Sequence, residues 1–153
     1  MSVAAWLKQR KRLTAISAVL LTVTLISIWV LTVQTPDQTT SLSSFWAALI
    51  PGVSPDDASF IVRKLAHIAE FLPVGLFAGL AALCWFGDRL PVRTIVIGTV
   101  LFSALCSLGD QTHKLFVPGR EFDGRDLVFD VAGYVAGIAI AVAVDAAIKR
   151  RAE

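Results

Sequence analysis

Residues 13–33 read L-T-A-I-S-A-V-L-L-T-V-T-L-I-S-I-W-V-L-T-V, twenty-one positions without a charge. A helix needs roughly 20 mostly apolar residues to cross the hydrocarbon of a bilayer, so this stretch is long enough by itself. Three further stretches qualify, at about 65–86, 94–109 and 127–148. The third is the shortest, because polar residues enter it at Asp110. With 56% hydrophobic residues and a mean hydropathy of +0.70 over 153 residues, the chain is too apolar for a soluble domain. The expectation is an all-α, polytopic membrane protein. It forms one domain over residues 1–153, a small bundle of four transmembrane helices, with loops 34–64 and 110–126 on one side.

Lys and Arg asymmetry sets the orientation. Nine basic residues (Lys8, Arg10, Lys11, Arg12, Arg89, Arg93, Lys149, Arg150, Arg151) fall on the side of the termini, and five (Arg63, Lys64, Lys114, Arg120, Arg125) on the other. Both termini are therefore expected in the cytoplasm. The net charge of +2 gives no reason to expect nucleic acid, and the basic ends suit anionic lipid headgroups. The apolar run at 13–33 is longer than that of a secretory signal, and no small-residue cleavage pattern follows it, so a retained first helix is expected. Trp6, Trp29, Trp46 and Trp85 fall near span boundaries, as in an aromatic belt. Cys84 and Cys106 lie on the order of 15 Å apart in depth, beyond disulfide reach, and should be free.

Between the first two spans, the Ser/Thr-rich stretch 34–53 turns apolar at 45–50. That short run with Trp46 reads as a segment lying at the interface, or as an ordered loop packed over the bundle. Ser54-Pro55-Asp56-Asp57 then announces a helix: a capping hydroxyl, a proline at the first position and two acids at the positive end. Such a helix should run to Phe86, interrupted in its hydrogen bonding by Pro73 and stopped at Gly87. The turn signals Val117-Pro118-Gly119-Arg120 and Asp123-Gly124 suggest a hairpin over residues 110–126.

Three acids stand inside apolar segments: Glu70, Asp110 and Asp130. Each costs roughly 2.5–3.5 kcal/mol to insert. At 1.5 Å per residue they lie about 8, 6 and 5 Å inside the same boundary. Arg63, His67 and Glu70 share one helix face, as do Asp110 and His113, and as do Asp126, Asp130, Gly133 and Gly137. The glycines permit a second helix to approach closely, which turns the acids of that face inward. Around this layer five cations (Arg63, Lys64, Lys114, Arg120, Arg125) meet six acids (Glu70, Asp110, Glu121, Asp123, Asp126, Asp130). A dedicated anion receptor would carry a surplus of cations; this mixture fits a paired ion network or an acid/base site.

Those residues also carry a family resemblance. The stretch R-K-L-A-H-I-A-E-F at 63–71 resembles the K-x-x-H-x-x-E-Y/F opening of the VanZ-like family of bacterial membrane proteins. D-Q-T-H-K-L-F-V-P-G-R at 110–120 is similar to its D-E-x-x-Q-x-F-x-P-G-R signature. Asp126, Asp130, Gly133 and Gly137 match its closing D-x-x-x-N/D-x-x-G-x-x-x-G. The match covers residues 63–137, about half the chain. It departs at Gln111, where the family usually has Glu, and at Lys114, where it usually has Gln. The resemblance implies a place in the envelope, in the bacterial cytoplasmic membrane, and an association with resistance to glycopeptides of the teicoplanin type.

Three functional readings follow. The first is a module that engages a lipid-linked envelope precursor or a lipoglycopeptide, with Arg63, Lys64 and Arg120 as ligand-binding residues and membrane lipids as partners. The second is an enzyme acting at the outer leaflet on a phosphate-bearing lipid, with His67, Glu70, Asp110, His113, Asp126 and Asp130 as catalytic candidates. A metal on His67, Glu70, Asp110 and His113 is chemically reasonable, but the spacing is not diagnostic and no metal ligand is assigned. No cofactor can be read from the sequence. A purely structural ion network competes with all three, although buried ion pairs are seldom the cheapest way to stabilise a fold.

Overall fold

The computed structural model describes residues 3–150, with side chains from residue 7 onward. The Trp6 side chain and Arg151 lie outside the described residues. Five helices follow in order: α1 (Val3–Thr32), α2 (Pro36–Ala47), α3 (Pro55–Phe86), α4 (Val92–Lys114) and α5 (Gly124–Arg150), with no strand among the described residues. All except α2 are long and apolar enough to cross a membrane. Side chains such as Ile16, Val19, Val23 and Ile26 stand exposed along α1, which in water would be an aggregation surface and in lipid is an ordinary one. The chain is a multi-pass membrane protein.

The boundaries of α3 coincide with those expected. Asp57 N–H donates to Ser54 Oγ at 3.2 Å, and Gly87 N–H closes the last turn on Leu83 O at 3.0 Å. The helix runs through Pro73 without a break. Two expectations need correction. First, α4 does not stop near residue 109; it continues through Asp110 to Lys114, and α5 starts at Gly124. The supposed hairpin over 110–126 shrinks to residues 115–123. Polar side chains can extend a helix inside the bundle when they face partners and not lipid, and those of Asp110 and Lys114 do. Second, the loop after α1 contains a further helix, α2. Its start carries Pro36 at the first position, Asp37 in the first turn and the Thr35 N–H bonded to Gln38 Oε1 at 3.0 Å, a capping arrangement legible as Thr-Pro-Asp-Gln. The apolar run at 45–50 is the end of that helix and the turn after it. α2 packs on α3 through its buried Ser43 and Ala47, leaving Leu42, Phe45 and Trp46 exposed.

Contacts at both ends fix the order of the spans. Near the start of α1, Arg10 is bonded to Asp88 and to Leu83 O (2.8 Å) at the α3–α4 connection. At the other end Thr32 is bonded to Asp110, close to the end of α4. The largest interface joins α3 to α5. It is backbone-close: a Cβ on Gly133 would meet Ile68 O at 2.6 Å, and one on Gly137 would run into Leu72 O and Leu76 N. Gly75 sits equally tightly against the Tyr134 carbonyl. In lipid, where apolar side chains gain little by leaving their solvent, such close packing is a main source of helix association. Phe71, Val74, Tyr134 and Ile138 fill the core beside this seam. Cys84 and Cys106 are free.

The seam makes a clear expectation. Gly137→Leu should destabilise the protein by about 1–3 kcal/mol or more through overpacking, read as a drop in thermal midpoint in detergent. Gly98→Leu, where a Cβ meets nothing within 4 Å, should leave the midpoint nearly unchanged.

Candidate functional site

The buried face of α4 carries Thr99, Ser103, Ser107, Asp110, Gln111 and Lys114, a run of polar residues at helical spacing that faces α3 and α5. On α3, Lys64, His67 and Glu70 recur every third residue. On α5, Asp126 and Asp130 are one turn apart. The glycine seam draws α3 and α5 together, and these side chains meet at the end of the bundle away from Arg10.

Asp126 is the hub. Its Oδ1 accepts from Lys64 Nζ at 2.6 Å, and its Oδ2 faces Lys114 Nζ at 2.9 Å and His67 Nε2 at 3.0 Å. The other ring nitrogen, His67 Nδ1, lies 2.9 Å from Asp130 Oδ1, and Ser107 Oγ donates to Asp130 Oδ2 at 2.7 Å. A neutral imidazole has one N–H, so one of its two carboxylate contacts requires a further proton, on the ring or on a carboxyl. Lys114 also stands 3.9 Å from Asp110 Oδ2, and Asp110 accepts from the Thr32 hydroxyl. Lys64 reaches Asp123 at 3.2 Å and lies over the rings of Phe60 and Phe129, which adds cation–π attraction. Asp123 itself, on the loop before α5, is held below the usual carboxylate range, first by the Arg125 backbone N–H and also by the Lys64 ammonium.

Above this network opens a cavity of about 480 Å³. Its walls include Lys64, His67, Glu70, Asp110, Lys114 and Asp126, and its roof comes from α2 with Thr39, Ser43 and Trp46. Arg63, Arg120 and Glu121 stand around it as well. The roof is tied down by Arg120, whose Nη1 donates to Gln34 O and to Thr39 Oγ1, both at 3.1 Å. Gly119 makes that reach possible. Its φ of +77° completes the Val117–Arg120 turn, a conformation an L side chain resists.

Of the residues singled out from the sequence, Lys64, His67, Asp126 and Asp130 are brought into one bonded network. Glu70 and Asp110 line the same cavity, whereas Asp130, fully buried, lies behind His67. Glu70 has no hydrogen-bond or ion-pair partner among the described residues. Arg63 is exposed at the cavity and likewise makes no such bond. His113 is not part of the assembly: it turns towards α1 and stacks on Trp29, ring centroids 5.5 Å apart. Among the described residues no group of three or more His, Cys, Asp and Glu side chains is arranged to hold a metal, and both His67 nitrogens are taken by carboxylates.

Four participants were not anticipated from the sequence: Thr32, Ser107, Gln111 and the bridging part played by Lys114. The last three were readable. Residues 107, 110, 111 and 114 follow the helical period, a pattern hidden by ending the third span at 109. Gln111 is fully buried; its Oε1 accepts from Asp123 N–H at 3.4 Å, and its Nε2 has no partner among the described residues.

A family model described as VanZ/LLP1 matches residues 10–145. No curated protein and no solved structure matches.

Removing the hub should be severe. Asp126→Asn leaves Lys64 and Lys114 buried without their shared acid, and breaking a buried pair costs about 3–5 kcal/mol. Arg63→Ala, at an exposed position, should change stability by no more than about 0.5 kcal/mol. Thermal midpoints of the two variants in one detergent check the contrast.

Proposed function

The chain belongs to the VanZ/LLP1 family, and from that membership we propose that it is a cell-envelope protein whose cavity holds the polar head of a lipid-linked or glycopeptide-type ligand. In this reading the cavity opens at the outer face of the bacterial cytoplasmic membrane, with both termini in the cytoplasm. The basic residues at the opposite end, nine of the fourteen, favour that orientation. Engagement of the ligand alters the response of the cell to glycopeptides of the teicoplanin type.

One observation carries the proposal: the roofed, charged cavity has polar groups left over for a ligand. Its lysines, its histidine and its aspartates are engaged with one another, while among the described residues Arg63 and Glu70 have no hydrogen-bond or ion-pair partner and Arg120 bonds only through Nη1. Exposed Leu42, Phe45, Trp46 and Leu49 give the roof an apolar outer surface on which a lipid-borne ligand can rest. A ligand phosphate suits the arginines, whose planar forks match it.

A second reading, an enzyme acting on a phosphate-bearing envelope lipid, draws on a different observation. Glu70 is an unengaged carboxyl one turn from His67 and could accept a proton. His67 fits that role poorly, because both ring nitrogens are already directed at carboxylates.

Native mass spectrometry of gently solubilised protein separates these ideas. The binding reading expects a retained envelope lipid or lipid-linked species. Its occupancy should fall about tenfold in Arg63→Ala, the size of one charge-assisted hydrogen bond. A lipid-free protein, or retention indifferent to Arg63→Ala and Arg120→Ala, overturns it. Turnover of the retained species, lost in Glu70→Gln, would favour the enzyme.

A further inference from the structure

The charges lining the cavity limit what can enter it. Arg63, Lys64, Lys114 and Arg120 supply four cations, against five acids in Glu70, Asp110, Glu121, Asp123 and Asp126. A purely anionic ligand therefore meets no surplus of positive charge. Pairing within the protein sharpens the limit. Lys64 and Lys114 are committed to Asp126, with Asp123 and Asp110 beside them. What remains unengaged is one guanidinium, Arg63, the spare donors of Arg120, the Glu70 carboxyl in the wall and the exposed Glu121. An acid at membrane depth is costly unless a counter-charge or donor meets it; among the described residues none lies within hydrogen-bond or ion-pair distance of Glu70, and His67 and Lys114 act on it only from farther off.

We infer that the cavity takes a zwitterionic phosphoamine headgroup, with Arg63 and Arg120 on the phosphate and Glu70 on a primary ammonium about two carbons away. This rests on reading the cavity as a headgroup site and names the class of head. The spacing fits. Arg63 and Glu70 lie seven residues apart on one helix face, about 10 Å along the axis. A phosphate and an ammonium joined by two carbons, with a contact of about 3 Å at each end, have a length of the same order as that backbone rise, and both side chains line the same cavity. The exposed Glu121 beside Arg120 weighs against a headgroup with a bare negative charge and not against one whose charges cancel. Trp46, Leu42 and Phe60 in the cavity lining give the apolar part of such a lipid a place beside the mouth.

The test compares a short-chain phosphatidylethanolamine with its N-acetyl derivative. Both are titrated by native mass spectrometry onto the full chain in detergent, with water-soluble phosphoethanolamine as a third ligand. The amine-bearing lipid should bind at least about tenfold more tightly than the acetylated one, the weight of a charge-assisted hydrogen bond. Glu70→Gln should shrink that preference to within about twofold while still binding the acetylated lipid, which shows that the cavity is intact. Phosphoethanolamine binding as tightly as the lipid keeps the zwitterion and assigns it to a soluble phosphoamine. Equal binding of the two lipids, both weakened by Arg63→Ala, overturns the zwitterion and leaves the headgroup cavity standing. Binding of none of the three ligands overturns both. The comparison between lipids on the unmodified chain decides even where Glu70→Gln fails to fold.

Discussion

The polar end of this protein depends on Asp126. Ionisable groups inside a bilayer are tolerated when they meet partners, and Asp126 provides one for Lys64, Lys114 and His67 within 3.0 Å. Those three side chains come from α3 and α4, so one carboxylate on α5 joins three spans. His67 passes the connection on to Asp130, and Asp130 to Ser107 on α4. The energetic meaning is asymmetric. The intact set gains little over an apolar core of equal volume, whereas each loss of a member strands a charge. Such an arrangement holds geometry more than it adds stability, and a defined geometry is what a polar cavity in its midst requires.

The hub can form because of what lies two and three turns further along α5. Gly133 and Gly137 let the backbone of α3 come within contact of α5, and the short reach of an aspartate then suffices to touch His67 and Lys64. A side chain at either glycine would push the helices apart by more than these 2.6–3.0 Å contacts can follow. The sequence order Asp126, Asp130, Gly133, Gly137 on one face is thus a single device: close approach and charge pairing are mutually dependent.

Much of this was legible in the sequence, for identifiable reasons. The four spans show because hydrocarbon demands about 20 apolar residues whatever the tertiary contacts. α3 was readable to the residue because Ser54-Pro55-Asp56 and Gly87 act locally. The end of α4 was not, since Asp110 and Lys114 look like a loop until their partners on α1 and α5 are known. α2 was missed for the opposite reason: its Thr-Pro-Asp-Gln start is a local signal, overshadowed by the Ser and Thr that follow. Helical spacing brought the acids of α3 and α5 to one layer, but spacing says nothing about which of them is satisfied. That Asp130 is enclosed, Glu70 unpaired and His113 turned to Trp29 depends on three-dimensional contacts no period encodes.

The departures at 111 and 114 become intelligible together. Both lie on the buried face of α4, one turn apart, where the resembling family usually has Glu and then Gln. Here an amide occupies the first position and an ammonium the second. Lys114 brings to Asp126 and Asp110 a cation that Gln could not, and Gln111 adds no further acid beside Asp110 and Asp123. The exchange moves the cluster by two charge units towards neutrality, which a low-dielectric setting rewards. It also removes one candidate for proton transfer, since the Gln111 amide does not ionise. Asp110 is engaged by Thr32 and Lys114, and Asp126 and Asp130 by His67. Glu70 is left as the acid of the cavity wall that has no hydrogen-bond or ion-pair partner among the described residues, because every other acid on this buried layer is already tied to a cation or a hydroxyl.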